Sequence, residues 1–188
     1  MNKIRLIPQV LTAPHKLFSA IAIVSALSWQ SYGIASQVEV STELVWSVSG
    51  FDQPESTVYL ADSDSYLVSN INGAPMELNA KGYISKISSD GKILERYWSQ
   101  GFNAPKGMAY FNGQVYVADM QQLVQLDSNT GKVIKRYTAK KSKMLNDVAI
   151  DNEGNVFVSD LIAGGVYRLS NGEFSQWIDS QEMPHPNG

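Results

Sequence analysis

Three oxygen-bearing side chains recur at one point of a repeated pattern. Asn187 lies 41 positions after Asn146, and Glu55 stands in the same register in the earlier run Pro54-Glu55-Ser56. Lys106, in Pro105-Lys106-Gly107, takes that place in a fourth copy. A second set, Asn70, Asp119 and Asp160, closes the second apolar run of each copy. Oxygen donors in a chain without cysteine suit a hard cation: Ca²⁺ first, with Mg²⁺ or Zn²⁺ as alternatives. Asn and Asp at strand ends also satisfy local backbone groups. Asp147, Asp119 and Asp160 are therefore read as strand-end hydrogen-bonders, Asp119 and Asp160 lying one step removed from the cation.

These residues can converge only if the elements carrying them are arranged around an axis. Val148, Ile150, Val156 and Val158 alternate around the turn Asp151-Asn152-Glu153-Gly154, the pattern of a β-hairpin. Val115-Tyr116-Val117-Ala118-Asp119 reappears 41 positions on as Val156-Phe157-Val158-Ser159-Asp160. Each copy continues into a second hairpin, with turns at Ser89-Asp90-Gly91-Lys92, Asn129-Thr130-Gly131-Lys132 and Ser170-Asn171-Gly172-Glu173. Four short antiparallel strands in about 40 residues is the size of one β-propeller blade. The expected fold is all-β, with blades at 54–99, 103–139 and 144–179 and a fourth beginning at Pro186-Asn187-Gly188. Closed propellers use four to eight blades, so a six-bladed parent is expected, of which 36–188 forms the N-terminal part. Val40–Val48 is a further strand candidate.

In a propeller the first strand of each blade lines the central channel. The loop before it and the loop after the second strand open on one face. Glu55, Lys106, Asn146 and Asn187 should therefore ring one mouth. Lys106 and His185 are candidates for substrate contact there. Blade one also carries an extra stretch, Asn72 to Gly82, on that face, with Met76 and Leu78 able to cover an apolar substrate.

Composition removes other classes. The 188 residues carry a net charge of −3, which speaks against a strongly basic nucleic-acid binder. Without cysteine there is no disulfide, thiolate site or Cys nucleophile. No phosphate-binding glycine loop occurs, and His185 is the sole histidine after the first 35 residues, without a nucleophile elbow. Those first residues read as a signal peptide: Lys3, Arg5 and Lys16, an uncharged run Leu17–Trp29, then Gly33-Ile34-Ala35 as a cleavage site. The run is shorter than the ~20 residues of a membrane span. No membrane span is expected after cleavage, and the chain should be periplasmic or secreted.

The ordered motifs Pro54-Glu55-Ser56, Ala104-Pro105-Lys106-Gly107-Met108-Ala109, Leu145-Asn146-Asp147-Val148-Ala149 and Pro186-Asn187-Gly188 carry a family resemblance. From about Val45 to Gly188 the chain resembles the senescence marker protein, gluconolactonase and luciferin-regenerating enzyme superfamily of six-bladed propellers. The resemblance implies one divalent metal at the channel mouth, held by Glu55, Asn146 and Asn187. The family's fourth ligand, an aspartate of blade five, falls beyond Gly188. Its substrate-binding arginine is matched here by Met144, which argues against a sugar-acid lactone. The implied function is an exported, metal-dependent hydrolase of a small-molecule lactone or ester. The alternative is a non-catalytic propeller that binds a ligand or protein partner.

Overall fold

The computed structural model describes residues 42–188, of which Glu43–Gly188 form one compact unit. The segment read as a signal peptide lies outside the described residues. Twelve strands form three four-stranded antiparallel sheets, each a simple meander. The first contains β1 (Pro54–Leu60), β2 (Ser65–Asn70), β3 (Gly82–Ser88) and β4 (Ile93–Phe102). The second contains β5 (Pro105–Phe111), β6 (Gln114–Asp119), β7 (Gln122–Asp127) and β8 (Val133–Thr138). The third contains β9 (Leu145–Ile150), β10 (Val156–Asp160), β11 (Val166–Ser170) and β12 (Glu173–Ile178).

Strict alternation explains how the sheets stack. In β6, Val115 and Val117 face the first sheet, packing with Leu60, Leu67, Ile84 and Phe102. Tyr116 and Ala118, the residues between, face the third sheet and meet Leu145, Val156, Val158 and Leu169. β7 splits the same way, Val124 and Leu126 to one side and Leu123 to the other. The middle sheet thus buries both faces, as period-two side-chain placement allows. Cutting one such side chain back, as in Leu126→Ala, removes about 2–5 kcal/mol of stability.

Of the first strands, β5 touches both β1 and β9 across sheets, whereas β4, β8 and β12 are at the far edge of each sheet. This is the blade arrangement expected, with the first strand innermost. Turn chemistry agrees with it. Asn171 (φ 50°) and Gly172 (φ 80°) are both left-handed, the type I′ geometry whose twist suits a two-residue hairpin. Asp151 closes the β9–β10 turn by accepting the amides of Glu153 and Asn155 on Oδ1.

One expectation fails in part. The described portion of the Val40–Val48 strand candidate, from Thr42 onward, is not a strand. Instead Trp46 donates its indole N–H to the Ser89 carbonyl at 3.0 Å and packs edge-on against Tyr66, with ring centroids 5.9 Å apart. An indole anchored this way covers the outer surface of the first sheet without a backbone ladder.

Candidate functional site

The register shared by Glu55, Lys106 and Asn146 has a structural cause. Each innermost strand carries a β-bulge at this point. Pro54 pairs with Asn70 and Thr57 with Val68, so Glu55 and Ser56 together oppose Ser69. Pro105 pairs with Asp119 and Met108 with Val117, setting Lys106 and Gly107 against Ala118. Leu145 pairs with Asp160 and Val148 with Val158, setting Asn146 and Asp147 against Ser159. Bulges re-aim side chains and recur beside active sites. The extra amide is satisfied by a hydroxyl from the opposing strand where one exists: Ser56 N–H donates to Ser69 Oγ at 3.0 Å, and Asp147 N–H to Ser159 Oγ at 3.1 Å. The second sheet has Ala118 there instead.

The third bulge brings Asn146 to Asn187. The Asn146 Nδ2 donates to Asn187 Oδ1 at 2.9 Å and to Asp147 Oδ2 at 2.8 Å. Asp147 Oδ2 also accepts the Gly188 amide at 2.7 Å. Asn146 is buried and Asn187 exposed, so the pair runs from the interior to the surface. Asp147, read from sequence as a strand-end hydrogen-bonder, is thus part of the cluster. Alternation would turn it away from Asn146; the bulge, which no single residue announces, keeps it there.

Glu55 stands on the solvent side of this group. Partial withdrawal from water and then the nearby Asp147 carboxylate push its carboxyl up, while Lys106 pulls it back. Lys106 is only 3% exposed. Its Nζ donates to the Pro75 carbonyl at 2.9 Å and the Ala104 carbonyl at 3.1 Å. Burial pushes the ammonium down, and Glu55 and Asp119 oppose that.

Asp119 and Asp160 are fully buried and occupied by backbone. Asp119 Oδ1 accepts the amides of Asn103 and Ala104, each at 2.9 Å. Asp160 accepts four amides, from Lys143, Met144, Ile162 and Ala163. Asn70 serves the first sheet likewise, its Oδ1 accepting the Asp52 amide at 3.2 Å. Each of these residues pins the turn leading into the innermost strand, and so sets where the bulge begins. Burial raises the Asp119 carboxyl despite those amides and the Arg136 charge. His185 is exposed, and its Nδ1 lies 3.1 Å from the Leu161 carbonyl, apart from the Asn146–Asn187 pair.

The donor chemistry fits a hard cation. Two carboxylates, Glu55 and Asp147, and two amides, Asn146 and Asn187, gather at this end of the first strands. No three acidic or histidine side chains converge at metal distance among the described residues, so amide oxygens would complete the set. Asn146 Nδ2 now sits between two oxygens. A half-turn of that amide exchanges N for O and leaves three oxygens facing one another, an arrangement that a cation would stabilise.

No protein-family profile and no curated relative matches the chain. Among solved structures it is similar to a gluconolactonase from Xanthomonas campestris, with a TM-score of 0.54 and 15% identity. The likeness covers 71% of this chain and 49% of that one, so the chain spans about half the length of the gluconolactonase it matches. The three sheets, stacked with their first strands innermost, share the fold of a gluconolactonase propeller.

Proposed function

We propose that the chain belongs to an exported, divalent-metal-dependent hydrolase of lactones or esters, built on a six-bladed propeller. Glu55, Asn146 and Asn187 would hold the cation, Ca²⁺ before Mg²⁺ or Zn²⁺. When bound, the cation supplies Lewis-acid polarisation of the substrate carbonyl and charge to stabilise the oxyanion. Asp147 Oδ1 accepts no hydrogen bond among the described residues, which leaves that oxygen open to take a proton from water. Water oxygen bonds to the carbonyl carbon, and the ring C–O bond breaks. The departing oxygen takes up the proton to become a hydroxyl, leaving a hydroxy acid. Lys106 favours the ionised form of Glu55 throughout.

The observation that carries this reading is the Asn146–Asn187 contact at 2.9 Å, joining two repeats beside the Asp147 carboxylate. Calcium titration calorimetry on the full natural protein, beside Asn146→Ala, tests it together with a lactone and ester screen. Binding lost in the variant, with turnover in the wild type, supports the hydrolase. Binding without turnover would leave a metal-stabilised propeller that recognises a ligand or protein partner, and no binding would remove the site.

A further inference from the structure

The extra stretch between β2 and β3 is a braced loop. Asn72 Nδ2 donates to the Lys81 carbonyl at 3.1 Å, Ala74 N–H to Glu77 Oε2 at 3.2 Å, and Lys81 N–H to Asn79 Oδ1 at 2.8 Å. It is moored to both neighbouring lead-in turns. Gly73 N–H donates to Gln53 Oε1 at 2.8 Å, two residues before Glu55, and Ala80 N–H to Asn103 Oδ1 at 3.3 Å. Its third mooring is the buried Lys106 ammonium on the Pro75 carbonyl. A loop ordered by polar contacts gains nothing from apolar side chains turned to water, yet Met76 and Leu78, next along from Pro75, are 52% and 70% exposed.

Leu78 stands over Met120, in a cavity otherwise lined by the polar Asn103, Asp119, Gln121, Gln122 and Thr138. Ile71, Ala104, Met120 and Met144 form a buried cluster in the turns at this end of the sheets, with Leu161 and Ile162 packed on it. Two of the three Lys106 donors are taken by carbonyls, and Met144 offers no hydrogen bond to a polyol.

We infer that the 72–82 loop, held by Lys106, is a specificity wall whose Met76 and Leu78 receive the alkyl chain of an apolar lactone or ester. This rests on the hydrolase reading and adds the substrate class. Lys106 acts through the loop as a positioning residue.

The test uses the full natural protein with γ-decanolactone, unsubstituted γ-butyrolactone and glucono-δ-lactone, and calorimetry with the non-hydrolysable γ-lactams bearing a hexyl chain or none. The hexyl lactam should bind at least about tenfold more tightly than the bare lactam, the discrimination that even one methylene gives in an apolar pocket. The kcat/KM ratio of γ-decanolactone to γ-butyrolactone should fall about tenfold in Met76→Ser/Leu78→Ser, through KM, since the chain lies away from the reacting carbonyl. Both side chains are exposed, so this variant should fold. Lys106→Met should speed hydrogen exchange across 73–81 and lower the same ratio. Equal binding of the two lactams, an unchanged ratio, or preference for glucono-δ-lactone overturns the wall. Tighter hexyl-lactam binding without hydrolysis of any lactone supports the wall and sinks the hydrolase reading alone; no binding of either lactam sinks both.

Discussion

Gly107 lies directly against Asp147. A Cβ placed on Gly107 would stand 2.7 Å from the Asp147 Cα and 2.7 Å from the Asn146 carbonyl oxygen. Both neighbours are backbone and neither can turn aside. The missing side chain in the second bulge is what lets β5 and β9 close up where the candidate ligands gather. Gly107→Ala should therefore cost roughly 1–3 kcal/mol, the usual penalty of overpacking, and should weaken calcium binding. Chemical denaturation and calorimetry on the same variant check both. Unchanged stability would mean that the two strands are not so close.

The Asn146 amide gives a prediction whose sign depends on metal. Asn146→Asp removes the N–H that bridges Asp147 and Asn187 and sets a second carboxylate beside Asp147. Without metal the variant should lose about 1–3 kcal/mol, from an unmade hydrogen bond and like-charge repulsion. Calcium should restore it, because a cation is what three facing oxygens need. The thermal midpoint should thus rise more on adding Ca²⁺ in Asn146→Asp than in wild type. An equal rise in both would argue against a cation at this point.

Asp160 offers a test of the staple. Its carboxylate takes amides from Lys143 and Met144 ahead of β9, and from Ile162 and Ala163 after β10. Asp160→Asn keeps the size but turns one acceptor oxygen into a donor facing an amide. The buried mismatch should cost about 1–3 kcal/mol, with faster hydrogen exchange at Lys143 and Met144. Asp119→Asn should do the same at Asn103 and Ala104. If either variant is as stable as wild type, the register of the bulges is set elsewhere.

The blades were legible because their signals are local and redundant. Alternation in β6 and β10, turn residues such as Asn171-Gly172, and a 41-residue return all point to the same meander. The candidate site residues were legible through register: Glu55, Lys106 and Asn146 each occupy the first position of a bulge. Asp147 was not, since its place depends on pairing two residues against Ser159, a relation between strands that composition does not encode. Lys106 shows the same limit. Sequence marks it as a break in an oxygen-rich pattern. Only the folded chain shows that its Nζ is spent on the carbonyl of a loop 31 residues earlier. The Val40–Val48 alternation promised a strand, but alternation makes a strand only where a ladder partner is in reach.

The turn ahead of Glu55 is clasped by Tyr83, and its titration is measurable. The Tyr83 hydroxyl donates to Asp52 Oδ2 at 2.7 Å, and the Arg96 guanidinium reaches the same oxygen at 3.0 Å. Burial of the ring, then the Asp52 carboxylate, push the Tyr83 phenol up to about 12. Its folded value lies above the unfolded one, so its contribution to stability is complete below about pH 10 and is lost as pH rises towards 12. A tyrosinate absorbance titration should show a phenol among the last to ionise that moves to lower pH in Asp52→Asn and is absent in Tyr83→Phe. The phenylalanine variant should also lose about 1 kcal/mol, the net worth of one hydrogen bond. Asp52 and Gln53 lead into Glu55, and Gln53 moors the 72–82 loop through Gly73. Loosening this clasp should therefore raise hydrogen exchange at Gly73. If Tyr83 titrates with the other tyrosines and Gly73 stays protected in Asp52→Asn, the turn is held by Asn70 and its backbone bonds to Ile71 and Asn72, and the clasp has no part in positioning Glu55.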